Sequence, residues 1–255
     1  MAEILDQNAV HVWCLDTERL SAREVASASA VLSPEEQVRL RQLHFPEDRR
    51  DFALAHALLR HSLSLYSDTR PEDGQFEAAA NGKPFVLQAA NAGQNSLVFS
   101  LSHTRGLVAC AIGSRLALGI DVERLNRRVD IDSIAPLCLS PSELESLKHS
   151  PEPERQARFI EHWVLKEALV KATGKGLSDL KESSFRVSEH GGVELTSPST
   201  YRDEWHFELF RLTPRHRLAI AANCSSAKIL ARWTDTPLVF SQEEKCRGSF
   251  QSFLF

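Results

Sequence analysis

Two carboxylates alternate with apolar residues in a short segment of this sequence. Residues 116–123 read LALGIDVE, in which Gly119, Asp121 and Glu123 occupy every second position. A period of two is typical of a β-strand, so these three residues share one face. Because they lie roughly 6.6 to 6.8 Å apart along a strand, both carboxylates can reach one hard cation, and we expect Gly119 to leave space beside them. The alternative is a solvated acidic face on an edge strand.

A third carboxylate, Glu167, lies on a predicted helix. We expect this helix to end at Gly174, in a left-handed conformation. The helix positions that are spaced to face a core are Leu165, Ala168, Leu169 and Ala172. Trp163, Glu167 and Lys171 are four residues apart and share another face, which Val164 and Val170 flank. We interpret Glu167 as a carboxylate enclosed by apolar side chains. A solvent-exposed Glu167–Lys171 pair is the alternative.

The elements that carry these residues belong to a sequence with two similar halves. The helix-start pattern of residues 33–36 recurs at residues 140–143, and each half then continues from helices into two short strands. We therefore predict an α+β fold of two similar α/β subdomains, related by a pseudo-twofold axis, with the active site at their interface. The expected subdomains are residues 1–115 and 116–235, and residues 236–255 are expected to form a C-terminal tail.

Composition narrows the class of protein. The chain has 255 residues, of which 42% are hydrophobic and 25% charged, and its formal net charge of -4 argues against a general nucleic-acid binder. The five cysteines form no pair at metal-ligand spacing, so we expect them to be reduced in a cytoplasmic protein. No apolar run approaches the ~18 residues of a membrane span, and we expect no membrane partner.

These motifs, taken in order, resemble those of a known family. The two main segments are Gly119-Ile120-Asp121-Val122-Glu123 and Trp163-Val164-Leu165-Lys166-Glu167-Ala168-Leu169-Val170-Lys171-Ala172-Thr173-Gly174-Lys175-Gly176-Leu177. Two further segments precede them, Asn81-Gly82-Lys83-Pro84 and Phe99-Ser100-Leu101-Ser102-His103-Thr104. Together they are similar to the signature of the Sfp-type 4′-phosphopantetheinyl transferases. Members of this family transfer the 4′-phosphopantetheine group of coenzyme A to a serine of a carrier protein and release adenosine 3′,5′-bisphosphate.

The resemblance implies a magnesium-dependent enzyme. Asp121, Glu123 and Glu167 would hold Mg²⁺, which also contacts the pyrophosphate of coenzyme A. Glu167 or Glu123 would accept the serine proton, directly or through water. Lys171 would offset charge on the phosphate under attack, and Lys166 would support the helix. These roles agree with phosphoryl transfer, in which a protein mainly positions groups and stabilises charge.

The resemblance also implies a binding site for the adenosine and its 3′-phosphate in the N-terminal subdomain. The residues that would contribute to coenzyme A binding are Arg39, Arg50, Lys83, Ser102 and His103, together with Asp121 and Lys171. The sequence departs from the family at Glu36 and His56, where members often carry lysine and arginine. The resemblance therefore does not extend to these two positions of the first helical region. Taken alone, His103 would be interpreted as a half-buried structural histidine.

The expected partners are coenzyme A and an apo acyl or peptidyl carrier protein, and a monomer is expected because one chain supplies the whole site. A phosphohydrolase that cleaves a nucleotide pyrophosphate is a second hypothesis, since the same carboxylates would serve. A non-catalytic binding module is a third. We predict a docking surface for the carrier at an arginine-rich loop that contains Arg124, Arg127 and Arg128 and is followed by the apolar residues 134–139. A solvated loop without a partner is the alternative.

Overall fold

The computed structural model describes residues 5–6, 8–78, 84–86, 97–127, 129–188, 191–196 and 205–234. They form two units, one that joins the residues up to Arg115 with strand Lys228–Thr234, and one that consists of Leu116–Ala227. Each unit contains helices and a sheet. The predicted α+β class with two α/β subdomains is therefore confirmed, whereas the twofold relation and the interfacial position of the site stay predictions.

The first unit is built on a four-stranded sheet with order β11-β1-β5-β4. Its elements are β1 (Ala9–Asp16), a 3₁₀ turn (Thr17–Arg19), α1 (Ala22–Ser29), α2 (Pro34–Gln42), α3 (Pro46–Ser64), a second 3₁₀ turn (Pro71–Asp73), β2 (Phe76–Ala78), β3 (Pro84–Val86), β4 (Leu97–Thr104), β5 (Leu107–Ser114) and β11 (Lys228–Thr234). Helix α3 packs Leu54 and Leu58 into one core with Trp13, Phe99 and Cys110 of the sheet. This core holds the helices of the unit against β4 and β5.

Strand β11 corrects the predicted extent of the second subdomain. Residues 228–235 were expected there, but β11 pairs in parallel with β1, from Ala9 opposite Lys228 to Leu15 opposite Thr234. The sequence pattern predicts two strands in this half and none at this segment, and its place in the sheet depends on backbone hydrogen bonds made far along the chain. The predicted tail, residues 236–255, lies outside the described residues.

The first helical region consists of two helices, α2 and α3, because Leu43 and Phe45 adopt extended conformations and Pro46 begins α3. The capping-box residue Glu36 at the start of α2 accepts hydrogen bonds from Arg60 Nε (2.8 Å) and lies 2.8 Å from His56 Nδ1. Burial raises the pKa of Glu36, but the hydrogen bonds from His56 and Arg60 outweigh it and lower that pKa to about 2. The two family departures, Glu36 and His56, thus form a single ion cluster.

The second unit places one long helix on a three-stranded sheet with order β6-β10-β9. Its elements are β6 (Leu118–Arg124), α4 (Ile131–Cys138), α5 (Pro141–Lys148), α6 (Glu152–Thr173), a 3₁₀ segment (Leu177–Glu182), β7 (Phe185–Val187), β8 (Val193–Leu195), β9 (His206–Thr213) and β10 (His216–Ala222). Helix α6 ends at Gly174, whose φ of 69° is left-handed as predicted. Residues 163–171 belong to α6, which packs against β6.

A buried ion cluster anchors α6 in the same manner as the cluster of the first unit. Glu143, in the capping box at the start of α5, lies 2.9 Å from Lys166 Nζ and 3.4 Å from His162 Nδ1. Lys166 is fully buried and also donates to the carbonyl oxygens of Leu180 and Ser183. Since an unpaired buried charge is costly, this pairing ties α5, α6 and the 3₁₀ segment together. The predicted supporting role of Lys166 agrees with these contacts.

None of the helices in the described part of the chain combines the length and the apolar character that a membrane-spanning helix needs.

Candidate active site

Strand β6 presents its alternate residues to different surroundings. Leu118, Ile120 and Val122 are almost completely buried on one face. Gly119 and Asp121 face α6, since an added side chain at Gly119 would meet the α6 backbone and Asp121 pairs with Lys171 of that helix. The period-two pattern in the sequence therefore predicted correctly which residues of the strand share a face.

Gly119 allows α6 to approach β6 closely. A Cβ atom at this position would lie 1.9 Å from the carbonyl oxygen of Ala168 and 2.6 Å from the backbone nitrogen of Ala172. The expectation that Gly119 leaves space beside the carboxylates is thus wrong, because the backbone of α6 fills that space. The residue is required for helix packing, and the packing brings α6 side chains to Asp121.

Asp121 and Lys171 form the central contact of the candidate site. Lys171 Nζ donates to Asp121 Oδ1 at 2.7 Å, and the two side chains are 31% and 9% exposed, respectively. A pair with this limited exposure is screened less than a surface pair. The contact joins the strand motif to the helix motif, although the two residues are 50 positions apart in the sequence.

Glu167 lies one helical turn before Lys171 and is half-buried. Burial raises the pKa of the Glu167 carboxyl, and the negative charges of Asp121 and Glu123 raise it further, while Lys171 acts in the opposite direction. Asp121 and Glu123 are therefore close enough to Glu167 for their charges to repel its carboxylate. A carboxylate with a raised pKa is suited to accept a proton, and a cation bound among the three would relieve their repulsion.

Glu123 has a cationic partner that the sequence reading did not identify. Arg127 Nη1 donates to Glu123 Oε1 at 2.5 Å, and the loop that carries Arg127 is held by Gln156 Nε2, which donates to the carbonyl oxygens of Leu125 and Arg127. The i,i+4 separation could have suggested this pair, although that spacing is usually associated with helices. Arg128 lies outside the described residues. Of the predicted docking arginines, Arg127 is thus part of the candidate active site.

The three carboxylates do not form a closed ligand cluster. Among the residues that the structure describes, no group of three or more His, Cys, Asp or Glu side chains is arranged to hold a metal ion. Asp121 and Glu123 instead contact Lys171 and Arg127. The donor set nevertheless suits Mg²⁺, which prefers carboxylate oxygens and is commonly bound through one or two of them together with phosphate oxygens.

The residues predicted to bind the adenosine part of coenzyme A lie in the first unit. Arg39 is exposed on α2, with its guanidinium 5.8 Å from the ring centre of Phe52. Arg50 of α3 donates to the carbonyl oxygens of Thr17 and Leu20 and so links α3 to the segment after β1. On β4, Ser102 is buried and His103 exposed. Lys83 lies outside the described residues, and this group of assignments stays a prediction.

Comparison with known proteins gives consistent matches. The family model described as the 4′-phosphopantetheinyl transferase superfamily matches residues 117–222, and the model described as 4′-phosphopantetheinyl transferase, N-terminal, matches residues 19–114. The chain is 31% identical over 191 residues to 4′-phosphopantetheinyl transferase HetI of Nostoc sp., which covers 74% of this chain and 79% of HetI. It is 28% identical over 220 residues to psf-1 of Bacillus pumilus, covering 86% and 90% of the two chains. For Sfp of Bacillus subtilis the identity is 27% over 204 residues, covering 80% and 87%.

Proposed function

Because this chain belongs to the 4′-phosphopantetheinyl transferase superfamily, we propose that it transfers 4′-phosphopantetheine from coenzyme A to a serine of an apo acyl or peptidyl carrier protein. The serine oxygen forms a bond to the β-phosphorus of coenzyme A. The bond from that phosphorus to the adenosine 3′,5′-bisphosphate oxygen breaks, and the bisphosphate leaves. The observation that supports this reaction at this place is the joint position of Asp121, Glu167 and Lys171.

Asp121, Glu123 and Glu167 are the residues proposed to hold Mg²⁺. Burial raises the pKa of Glu167, and the charges of Asp121 and Glu123 raise it further. This repulsion supports the assignment, because a divalent cation bound among the three carboxylates would offset it. When bound, Mg²⁺ would supply charge neutralisation for the pyrophosphate. Lys171 and Arg127, the cations that contact Asp121 and Glu123 in the structure, would then be available to donate to phosphate oxygens.

The proton of the serine hydroxyl has to leave as the new bond to phosphorus forms. Glu167 is the favoured acceptor, since burial, the largest of the effects that raise its pKa, does not depend on whether a cation is bound. Glu123, which contacts Arg127, remains the alternative acceptor, directly or through water. Lys171 would stabilise the charge that develops on the transferred phosphoryl group.

Coenzyme A is proposed to contact the first unit through its adenosine and 3′-phosphate. Arg39, Ser102 and His103 are the described residues proposed for this role. Arg50 is proposed to act mainly by fixing α3, because its guanidinium already donates to two carbonyl oxygens.

We also propose a cytoplasmic monomer. Cys14, Cys110, Cys138 and Cys224, the four cysteines within the described residues, are free thiols, as expected in a reducing compartment. Size-exclusion chromatography with light scattering would test the monomer, and a dimer mass would contradict it.

The test is mass spectrometry of an apo carrier protein incubated with this protein, coenzyme A and Mg²⁺. The expected product is the carrier with one phosphopantetheine on its serine, accompanied by adenosine 3′,5′-bisphosphate. A carrier with that serine changed to alanine should stay unmodified, and chelation of the metal should stop the reaction. Consumption of coenzyme A without a carrier would instead indicate a phosphohydrolase. No consumption with any carrier would indicate a binding module.

A further inference from the structure

The second unit contains a cavity of about 620 Å³. It is bordered by α5, the first half of α6, the β7–β8 hairpin and the β9–β10 hairpin. Asp121, Glu123, Glu167 and Lys171 are not among its lining residues. The cavity is therefore lined by other side chains than those of the candidate active site, although Arg217 on β10 lies opposite Glu123 on β6 in the sheet.

The first half of α6 lines the cavity with charged side chains, at positions whose equivalents in the second half of the helix are apolar. Residues 154, 158, 161, 165, 168 and 172 follow a spacing of four and three, which places them on one side of a helix. In the second half of α6 this stripe is Leu165, Ala168 and Ala172, all buried in the core. In the first half it is Glu154, Arg158 and Glu161, and these three residues line the cavity. The same side of α6 therefore borders the polar cavity in its first half and packs into the hydrophobic core in its second half.

Two arginines share one carboxylate oxygen on the wall of this cavity. Arg211 Nε and Arg217 Nε lie 3.1 and 3.0 Å from Glu161 Oε1. The Glu161 side chain is only 7% exposed and that of Arg217 only 12%. One carboxylate neutralises one of the two guanidinium groups, so the cluster retains one excess positive charge, shared between the largely buried Arg217 and Arg211, whose side chain is 54% exposed. An anion bound beside the two arginines would offset this charge.

Among the residues that the structure describes, the other charged side chains of the cavity wall do not supply such an anion. Arg158 pairs with Glu154 (2.8 Å) and Arg186 with Glu194 (2.8 Å), while Glu143 is neutralised by Lys166. The wall also carries hydroxyl groups that can donate to an oxyanion, and an apolar part that can contact an uncharged group. The hydroxyl residues are Ser142, Ser146, Ser150, Ser188 and Thr196, and the apolar part includes Leu147, Phe185 and Val187.

We infer that this cavity binds a small molecule that carries a phosphate or carboxylate group, with Arg211 and Arg217 as the anion-binding residues. A guanidinium presents five donors in a planar fork, so an arginine that bonds Glu161 through Nε retains further N–H groups for a second oxyanion. The volume is within the range of small-molecule sites in proteins. This binding goes beyond the proposed transfer reaction and does not require it.

The test is an NMR titration of the protein with inorganic phosphate, and separately with acetate, at constant ionic strength. The observed signals are the Nε–Hε resonances of Arg211 and Arg217, assigned with single Arg→Gln variants. We expect saturable shifts of both resonances with phosphate, acetate or both, and the stronger of the two anions identifies the headgroup. Absence of shifts at Arg211 and Arg217 with either anion would overturn the inference, even if resonances elsewhere move.

Two substitutions should change the affinity in opposite directions. Arg211→Gln should weaken the binding by about tenfold or more, because a charge-assisted hydrogen bond to the anion is lost. Glu161→Gln should strengthen it, because the competing carboxylate is removed. Arg41→Gln, an exposed arginine of α2 in the other unit, is the matched control and should leave the affinity unchanged.

Folding does not limit this test. The Arg211 side chain is 54% exposed, so its variant keeps the buried Arg217–Glu161 pair, and thermal melting without added anion checks that each variant is folded. Phosphate should raise the melting temperature of the wild type more than that of the Arg211→Gln variant, since a ligand stabilises the state that binds it. Equal affinities for Arg211→Gln, Glu161→Gln and the wild type would mean that the anion binds elsewhere.

Discussion

Replacement of Gly119 by alanine is expected to separate the two halves of the candidate active site. Gly119 contacts the backbone of α6, and the new methyl group would lie 1.9 Å from the carbonyl oxygen of Ala168. The clash cannot be relieved by rotating a side chain, because a Cβ atom is fixed to the backbone of β6 and the atoms that it would meet belong to the backbone of α6. Either β6 or α6 has to move.

The size of that movement can be taken from the contact distances. An ordinary contact of a Cβ atom begins at 3.4 Å, so a methyl group at 1.9 Å requires a displacement of about 1.5 Å. Overpacking of a core typically costs 1–3 kcal/mol, and we expect a loss of about 3 kcal/mol in the free energy of unfolding. Because α6 carries Glu167 and Lys171, a shift of this size also misplaces them relative to Asp121. A misplacement of 1 Å can cost about 100-fold in rate, and we expect kcat/KM to fall by at least that factor.

The assay combines urea unfolding, followed by circular dichroism, with initial rates of phosphopantetheine transfer measured by mass spectrometry. Rates are to be measured at a temperature at which the variant is folded. Gly74→Ala is the matched control, since a Cβ atom there would meet its nearest neighbours at 3.6 Å, an ordinary contact distance. Wild-type stability and wild-type kcat/KM in the Gly119→Ala variant would refute the proposed close packing of β6 on α6.

Four further perturbations address separate parts of the molecule. Asp121→Asn keeps the side-chain volume but removes the charge, so transfer should fall by at least about 100-fold while the melting temperature changes little; full activity at ordinary Mg²⁺ concentrations would contradict the metal assignment. Lys171→Ala should lower kcat by about 100-fold and raise the KM for coenzyme A much less, and the opposite split in steady-state kinetics would make Lys171 a binding residue only. Leu137→Glu alters a side chain of α4 that is 69% exposed, and it should raise the KM for the carrier without affecting that for coenzyme A; an unchanged carrier KM would place docking elsewhere. His11 lies 2.7 Å from the Tyr66 hydroxyl, and burial lowers its pKa from 6.5 to about 4. The unfolded chain therefore binds the proton more readily, and the free energy of unfolding should fall by up to about 3 kcal/mol between pH 6.5 and pH 4. A His11→Gln variant measured by urea unfolding over this range should lack that part of the pH dependence.

The parts of the site that could be predicted from the sequence are those governed by local periodicity. The alternation around Asp121 identified a strand face, and the spacing of Glu167 and Lys171 identified a helix face. Periods of two and 3.6 residues act over a few neighbours, so they are visible in a short segment. The helix starts at Ser33 and Ser140 were predictable for the same reason, and both are capping boxes in the structure.

The features that could not be predicted depend on contacts between distant segments. The pairing of β11 with β1 and the arginine pair on Glu161 join residues about 50 to 220 apart in the chain, and no local pattern encodes them. Gly119 is an intermediate case. The sequence shows that a small residue lies beside two carboxylates, but only the position of α6 distinguishes space for a ligand from space for a helix backbone.

The contact between Lys171 and Asp121 unites the structural and chemical roles of the site. Lysine and a divalent cation would compete for the same carboxylate oxygen, because Lys171 Nζ already lies 2.7 Å from Asp121 Oδ1. In the structure Lys171 neutralises a largely buried charge that would otherwise be costly to enclose. If Asp121, with Glu123 and Glu167, held Mg²⁺, Lys171 would no longer be needed as the partner of Asp121 and could donate to phosphate oxygens of the substrate. One side chain would thus stabilise the site before the substrate binds and stabilise charge on the phosphoryl group afterwards, which accounts for a lysine four residues after the carboxylate Glu167.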